Sequence, residues 1–444
     1  MPCHVAKRRP PLPRMAMLAT AGVVVVTAGC LIPCYLRRGS PPSRHVSRLI
    51  GGVAASAARR GQYVDSIDAA ARALRDGTLV AFPTETVFGL GAHAFDDAAI
   101  ANVFAFKGRP PTDPLIVHVP DLAQAEPLVS LSPSGRALMR QLAAAFWPGP
   151  LTLVAPADAS IPDAVTSATG WVGVRCPAHE RALSLLRAVG VPLVAPSANR
   201  FGHVSPTRAE HVMADLGEHP ILVLRASACC DVGIESTVAK IDEAAGALVV
   251  LRRGGVPEAE LSRWLAQHAS EFALRVQAPN RAEAAPAAAT IAPGMLLTHY
   301  APDLPSFLLR LPPARPASPT SERSSVAAAA PSLADAVLID FGARAHSLAS
   351  TARAYRDLSP CGDASAAAAA LFEALRWAET AHEGAQCVLL PDVAAPDGAV
   401  ANRDCLPALA DRLLRAASGR SLVMLEGGAL AHTDCPRPRS ETVD

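Results

Sequence analysis

Lys107-Gly108-Arg109 sets two cations at i and i+2, just before Pro110 and Pro111. Leaving a helix end into a proline-stiffened loop, such a pair can clamp a polyphosphate, lysine as a point charge and arginine as a planar fork. The same tripeptide also reads as a helix C-terminal cap with a solvated arginine, which needs no ligand. Arg175 closes the apolar run Trp171–Arg175 and can hold a carboxylate bidentately, or equally well serve a structural ion pair. Pro83-Thr84-Glu85-Thr86-Val87-Phe88-Gly89-Leu90-Gly91 offers hydroxyls and closely approachable backbone. It is neither a G-x-x-x-x-G-K-[ST] phosphate loop nor a G-x-G-x-x-G dinucleotide turn. Ala195-Pro196-Ser197-Ala198-Asn199 presents a hydroxyl and an amide two residues apart. Ser205-Pro206 reads as an N-cap with proline at the first helical position, so the amides of a helix over 207–216 can receive phosphate; a cap without a ligand needs the same serine. His118 stands in the otherwise apolar stretch 114–119, where a histidine serves a core as readily as a ligand. Gly233-Ile234-Glu235-Ser236-Thr237, Arg252-Arg253-Gly254-Gly255 and Thr298-His299-Tyr300-Ala301-Pro302 complete the set.

Elements must hold these groups in place. Short runs rich in Val, Ile and Leu predict buried strands over 78–82, 115–119, 151–155, 172–175, 192–195, 221–224, 237–241 and 247–251. Helices are predicted over 97–106, ended by Gly108, and from Ser132-Pro133 onward. Several candidate groups therefore follow strand ends, where open α/β sheets take their ligands. The Ala- and Pro-rich stretch 266–296 reads as a linker, and 311–334, richer in Pro, Ser and Ala, as a disordered insertion. Strands over 336–341 and 387–390 and helices near 366–381 and 406–417 then predict a small second α/β unit.

The 444-residue chain carries a net charge of +1, so no global basic field advertises nucleic acid. Its ten cysteines contain no CxxC pair, which argues against a structural zinc site and for a reduced compartment; no metal ligands are assigned. Residues 1–64 contain ten Lys or Arg and no Asp or Glu, and 15–35 (Met15 to Tyr35) is an uncharged, mostly apolar run. Three readings stand for it: a membrane anchor, an organellar transit peptide, or a start truly at Met15 or Met17.

No single motif decides a function, but their order does. Residues 83–91, Lys107-Gly108-Arg109, 114–118, Trp147-Pro148-Gly149-Pro150-Leu151-Thr152, Arg175, Ser197-Ala198-Asn199, Ser205-Pro206-Thr207 and Glu235-Ser236-Thr237 together resemble the YrdC family. The His299–Pro302 segment and the second unit look like its longer, two-domain threonylcarbamoyl-adenylate synthase branch. The resemblance implies an α/β fold: a twisted mixed sheet with surrounding helices and a deep concave site, plus a smaller Rossmann-like C-terminal domain. The chain then divides into a basic extension (1–64), a catalytic domain (65–264), a linker carrying a lid segment (265–303), a low-complexity insertion (304–334), a C-terminal domain (335–420) and a tail (421–444).

The activity so implied forms threonylcarbamoyl-AMP and pyrophosphate from L-threonine, bicarbonate and ATP, with Mg²⁺ bound to the substrate. The product passes to a threonylcarbamoyl transferase that modifies adenosine 37 of tRNA. By resemblance, Lys107 and Arg109 are the catalytic cations on the ATP phosphates, with Ser197, Asn199, Ser205, Arg252 and Tyr300 completing the nucleotide site. Thr84, His118, Arg175, Ala195 and Ser236 would hold threonine, and Tyr300 would close over the nucleotide. The family default is cytoplasmic; mitochondrial import and membrane anchoring are the alternatives. Three departures stand out: Phe88 for a usual Tyr, Asp113 for Asn, and Arg253 for Pro, the last leaving open which of Arg252 and Arg253 meets ATP. The competing reading is a non-catalytic RNA-binding or ribosome-maturation factor, with these cations on nucleic-acid phosphates. A carbamoyltransferase of hydrogenase maturation would bring CxxC motifs, which this chain lacks.

Overall fold

The computed structural model describes residues 60–226, 230–277, 289–294, 297, 299–311, 330–380, 383–394, 400–425 and 429–432. The apolar run of the N-terminal extension and most of the low-complexity stretch lie outside the described residues. Among the described residues, no helix is long and apolar enough to cross a membrane.

Eleven strands form the first sheet, in the order Gln62–Val64, Leu222–Leu224, Val80–Phe82, Gly89–His93, Leu193–Val194, Ile116–His118, Trp171–Arg175, Leu151–Pro156, Thr237–Asp242, Ala247–Arg252 and Ala273–Val276. Parallel and antiparallel neighbours alternate irregularly, so the sheet is mixed. The eight apolar runs read as strands each overlap one, and four of those strands run one residue further than the apolar pattern. The residues 89–93 form a further strand, pairing antiparallel with Val80–Phe82, so 83–88 becomes the loop between them.

Local chemistry sets the helix ends that matter. Asp96 caps Asp97–Lys107 by accepting from the amides of Ala98 (3.0 Å) and Ala99 (3.1 Å). Gly108 ends it at φ 63°, with open space around its α-carbon, so the left-handed backbone rather than close packing calls for glycine. That turn sends Lys107 and Arg109 inward together. Ser132 caps Pro133–Phe146 through the Gly135 amide (3.2 Å), with Pro133 in the first turn.

Ser205 corrects an expectation. The helix begins later, at Ala209, with Arg208 at its N-cap and no side-chain cap. Ser205 is fully buried and its Oγ donates to Glu235 Oε1 at 2.6 Å. A buried carboxylate is a stronger acceptor for the hydroxyl than capping geometry can offset. The helix amides therefore stand away from the serine that was to mark a phosphate seat.

The second sheet has six strands, ordered Ala354–Asp357, Ala336–Asp340, Cys387–Pro391, Ser306–Arg310, Ser421–Met424 and Leu430–His432, parallel except for the last pair. Its helices Ala364–Thr380 and Leu406–Ala416 face the first sheet's loops. Ser306–Arg310, inside the stretch read as insertion, is an interior strand of this sheet, and Ala273–Val276, inside the stretch read as linker, edges the first. A large core fills the first sheet and its helices. A second apolar cluster joins Val87, Val204 and Ile234 of the first unit to Tyr300, Phe372 and Leu409.

Candidate active site

An open cleft, about 550 Å³ with the solvent at its mouth included, lies where the 83–88 loop meets the carboxyl ends of Ile116–His118 and Trp171–Arg175. Thr84, Arg109, His118, Arg175, Ala195, Ser197, Ser236, Arg252 and Tyr300 all line it. These are nine of the twelve residues singled out in the sequence. Lys107, Asn199 and Ser205 stand in the adjoining wall, buried behind the lining residues.

Thr84 shapes the first wall. Its Oγ1 donates to Val87 O (2.6 Å) and accepts from the amides of Thr86 and Val87, both at 3.2 Å. Next to it, Arg175 Nη2 meets Glu85 Oε1 at 2.6 Å and Thr86 Oγ1 at 2.9 Å, while Nε donates to Gly149 O. Arg175 is thus in a structural ion pair, and it also lines the cleft.

Arg109 is held by Asp113 O (3.0 Å), Pro114 O (2.7 Å) and the Asp113 carboxylate (3.0 Å). Asp113 therefore spends its charge on Arg109. Lys107 Nζ donates to Ser197 O (2.6 Å) and Asn199 O (2.5 Å) and is almost fully buried. Burial, reinforced by the neighbouring Arg109, pushes its ammonium down to about 7. His118 is buried beside Phe82, its Nδ1 3.2 Å from Ile116 O. Burial, helped by Arg175, drops it to about 3, so it stays neutral. Arg252 reaches Ser236 O with Nε (3.2 Å) and Nη2 (2.9 Å), and Ser236 Oγ at 3.2 Å. Arg253 turns instead to Glu258, so Arg252 is the arginine at the cleft.

Tyr300 closes the space. It is 1% exposed at φ 62°, packed on His299 (4.1 Å between ring centroids) and Phe372 (5.6 Å), with Arg412 4.9 Å above its ring. A side chain on Gly294 would come within 2.6 Å of the Tyr300 hydroxyl, so that approach requires glycine. Tyr300 Oη, His299 Nδ1, Asn199 Oδ1 and Glu85 Oε2 are buried without a hydrogen-bond partner. Buried polar atoms left unpaired are costly, and two of these, Tyr300 Oη and His299 Nδ1, belong to residues that line the cleft, as in a site built to receive polar groups. The carboxylates nearest the cations are ion-paired, Glu85 with Arg175 and Asp113 with Arg109.

Another cavity lies at the carboxyl ends of the second sheet, lined by Arg310, Asp340, Arg344 and Asp392. Its charged groups are already engaged: Arg310 Nε meets Asp392 at 3.2 Å, Arg344 Nη1 donates to Asp392 O, and Asp340 accepts from Ala345 N and Tyr355 Oη. The cleft with the unpaired groups is the better candidate.

Sequence reasoning gave Glu235 no role and missed Arg412, whose Nε lies 2.8 Å from Glu235 Oε2. One signal was available. Leu409, Arg412, Leu413 and Ala416 share one helix face, and an arginine within an apolar stripe points to a buried partner. Also missed was the cluster of His203, Asp215, Arg376 and Glu379, which ties the helix Ala209–Leu216 to Ala364–Thr380.

Fold and cleft together define a YrdC-like α/β domain joined to a smaller, mostly parallel unit. The comparisons agree. Residues 72–254 match the Sua5/YciO/YrdC family model, described as "Telomere recombination", and 256–418 match that of the threonylcarbamoyl-AMP synthase C-terminal domain. The chain is 41% identical over 233 residues to a threonylcarbamoyl-AMP synthase of Pyrococcus abyssi, an alignment spanning 52% of this chain and 64% of the relative. It is 39% identical over 251 residues to the enzyme of that name from Bacillus subtilis, spanning 55% of this chain and 67% of the relative. The crystal structure of P. abyssi Sua5 complexed with L-threonine superposes with a TM-score of 0.65 at 31% identity, covering 82% of this chain and 99% of that one. The chain belongs to the two-domain threonylcarbamoyl-AMP synthase family. These relatives bear the name of an enzyme, and lend no support to a non-catalytic RNA-binding factor.

Proposed function

We propose that this chain is an L-threonylcarbamoyladenylate synthase. The threonine nitrogen joins the carbon of bicarbonate with loss of water, giving an N-carboxylate. A carboxylate oxygen then attacks the α-phosphorus of ATP, the bond from that phosphorus to the bridging oxygen of the β-phosphate breaks, and pyrophosphate leaves. Such a step needs alignment and charge neutralisation rather than a covalent nucleophile. Lys107 and Arg109 are assigned to the phosphates, Arg252, Ser197, Asn199 and Ser205 to the rest of the nucleotide, and Mg²⁺ arrives with ATP. Arg175, with Thr84, His118, Ala195 and Ser236, takes threonine. His118, being neutral, can donate or accept a hydrogen bond without adding charge.

The observation that carries this reading is the convergence of nine expected residues on one cleft, closed by Tyr300. A mixed anhydride hydrolyses readily, and a buried aromatic lid that excludes water suits it. The adenylate would then serve threonylcarbamoylation of adenosine 37 in tRNA, in the cytoplasm by family default.

The test uses purified protein with ATP, Mg²⁺, bicarbonate and either threonine or serine. Pyrophosphate release that depends on threonine and bicarbonate, together with the adenylate mass, is the expected outcome. A folded protein that binds ATP and releases no pyrophosphate would overturn the assignment.

A further inference from the structure

Arg412 has no exposed side-chain surface, although it belongs to the helix Leu406–Ala416 of the C-terminal unit. Its guanidinium is fully committed. Nε donates to Glu235 Oε2 at 2.8 Å, Nη1 meets Asp411 Oδ2 at 2.6 Å, and Nη2 donates to Arg253 O at 2.8 Å. Its plane also covers the Tyr300 ring at 4.9 Å. Arg415 holds the other side of Asp411, at 3.0 and 3.1 Å.

Glu235 stands in the cleft wall between Ser236 and the lid, 6% exposed. A carboxylate there faces the space assigned to a triphosphate. Without a counter-charge it would repel the polyanion, and burial would make that repulsion strong. Arg412 is the cation that touches it. Removing one partner of a buried pair leaves the other charge uncompensated, which costs far more than the pair itself contributes. The same guanidinium rests on Tyr300, where a cation over a desolvated ring is attractive.

We propose that Arg412 is a positioning residue of the nucleotide site: it neutralises Glu235 in the cleft wall and seats Tyr300 over it, so the C-terminal unit supplies part of the ATP site. This rests on the reading of the cleft as an ATP site.

Full-length Arg412→Gln, Arg412→Lys and Arg412→Gln/Glu235→Gln proteins test it by pyrophosphate release. Arg412→Gln should raise KM for ATP at least about tenfold while KM for threonine stays within about threefold. Arg412→Lys keeps the charge but loses the planar fork, so its KM for ATP should fall between those of wild type and Arg412→Gln. The double variant removes the stranded carboxylate and should recover most of the lost ATP affinity. Equal ATP defects in the single and double variants would mean that the stranded carboxylate is not their cause, and overturn the proposal. Equal behaviour of Gln and Lys at 412, or an unchanged KM for ATP, overturns it too. Should Arg412→Gln fail to fold, a folded double variant with near-normal KM for ATP supports the proposal, and one with a raised KM overturns it. If neither folds, Arg412→Lys decides: equal rises in both KM values overturn the proposal, and a rise in KM for ATP of less than about tenfold with KM for threonine unchanged supports it. A wild-type protein that releases no pyrophosphate would instead sink the functional reading, and calorimetry with a non-hydrolysable ATP analogue would still rank the variants.

Discussion

Glu85 Oε1 lies 2.6 Å from Arg175 Nη2, and its other oxygen is buried with no partner. The pair offers a zwitterion both of its complements, a guanidinium for the carboxylate and a carboxylate for the ammonium. Glu85→Gln and Arg175→Ala should each raise KM for threonine by about ten- to a hundredfold, with KM for ATP within about threefold. Steady-state kinetics with each substrate varied in turn reads this directly. Equal rises for both substrates would put the amino-acid site elsewhere.

Lys107 predicts a proton movement. In the free protein burial holds it near 7, so above that pH it is mostly neutral. A triphosphate beside it favours the charged form and lifts its pKa again. ATP binding near pH 8 should therefore take up close to one proton, measurable by calorimetry in buffers of different ionisation enthalpy. Lys107→Arg, charged throughout, should abolish the uptake, and Lys107→Ala should cut kcat/KM by about a thousandfold or more without unfolding the protein.

For the lid, Tyr300→Ala should shorten the lifetime of bound adenylate by roughly tenfold, seen as pyrophosphate released in excess of intact adenylate in quenched reactions. Tyr300→Phe keeps the ring over the cleft and should preserve that lifetime within about threefold. Equal losses in both would shift the role from ring to hydroxyl.

His203 carries a stability prediction. Burial pushes its pKa down, but hydrogen bonds to Asp215 and Glu379 outweigh burial and hold it at about 9. Asp215 also meets Arg376 at 2.9 Å, and Arg200 pairs with Asp303 nearby. A histidine raised above its unfolded value stabilises the fold fully below about pH 6.5, and that stability is lost as pH rises through about 9. The wild-type unfolding midpoint should fall between pH 7 and 9.5, by an amount equivalent to about 1–2 kcal/mol after solvent screening. In His203→Gln that slope should flatten.

Much of this was legible in the chain. The run 151–155 is buried along its whole length and 247–251 is apolar throughout, so their strands were visible. Ser132-Pro133 and Gly108 marked helix ends because backbone geometry alone sets them. Ser306–Arg310 was hidden: four of its five residues are buried, but its neighbours in sequence have the composition of a linker. Ala273–Val276 is an exposed edge strand and carries no apolar pattern to detect. The Ser205 cap failed because a carboxylate thirty residues on, which no local pattern reveals, claims the hydroxyl. The burial of Arg412 was legible in its apolar helix face, but its partner, 177 residues away, was not.

Tyr300 stands only six residues before Ser306, the first residue of an interior strand of the second sheet. A chain that short spans roughly 20 Å at full stretch. However the ring leaves the cleft, it stays moored within that radius, at a local concentration in the millimolar range or above. Reclosure is thus a unimolecular search over a small volume, governed by how fast a short segment rearranges and indifferent to how dilute the protein is.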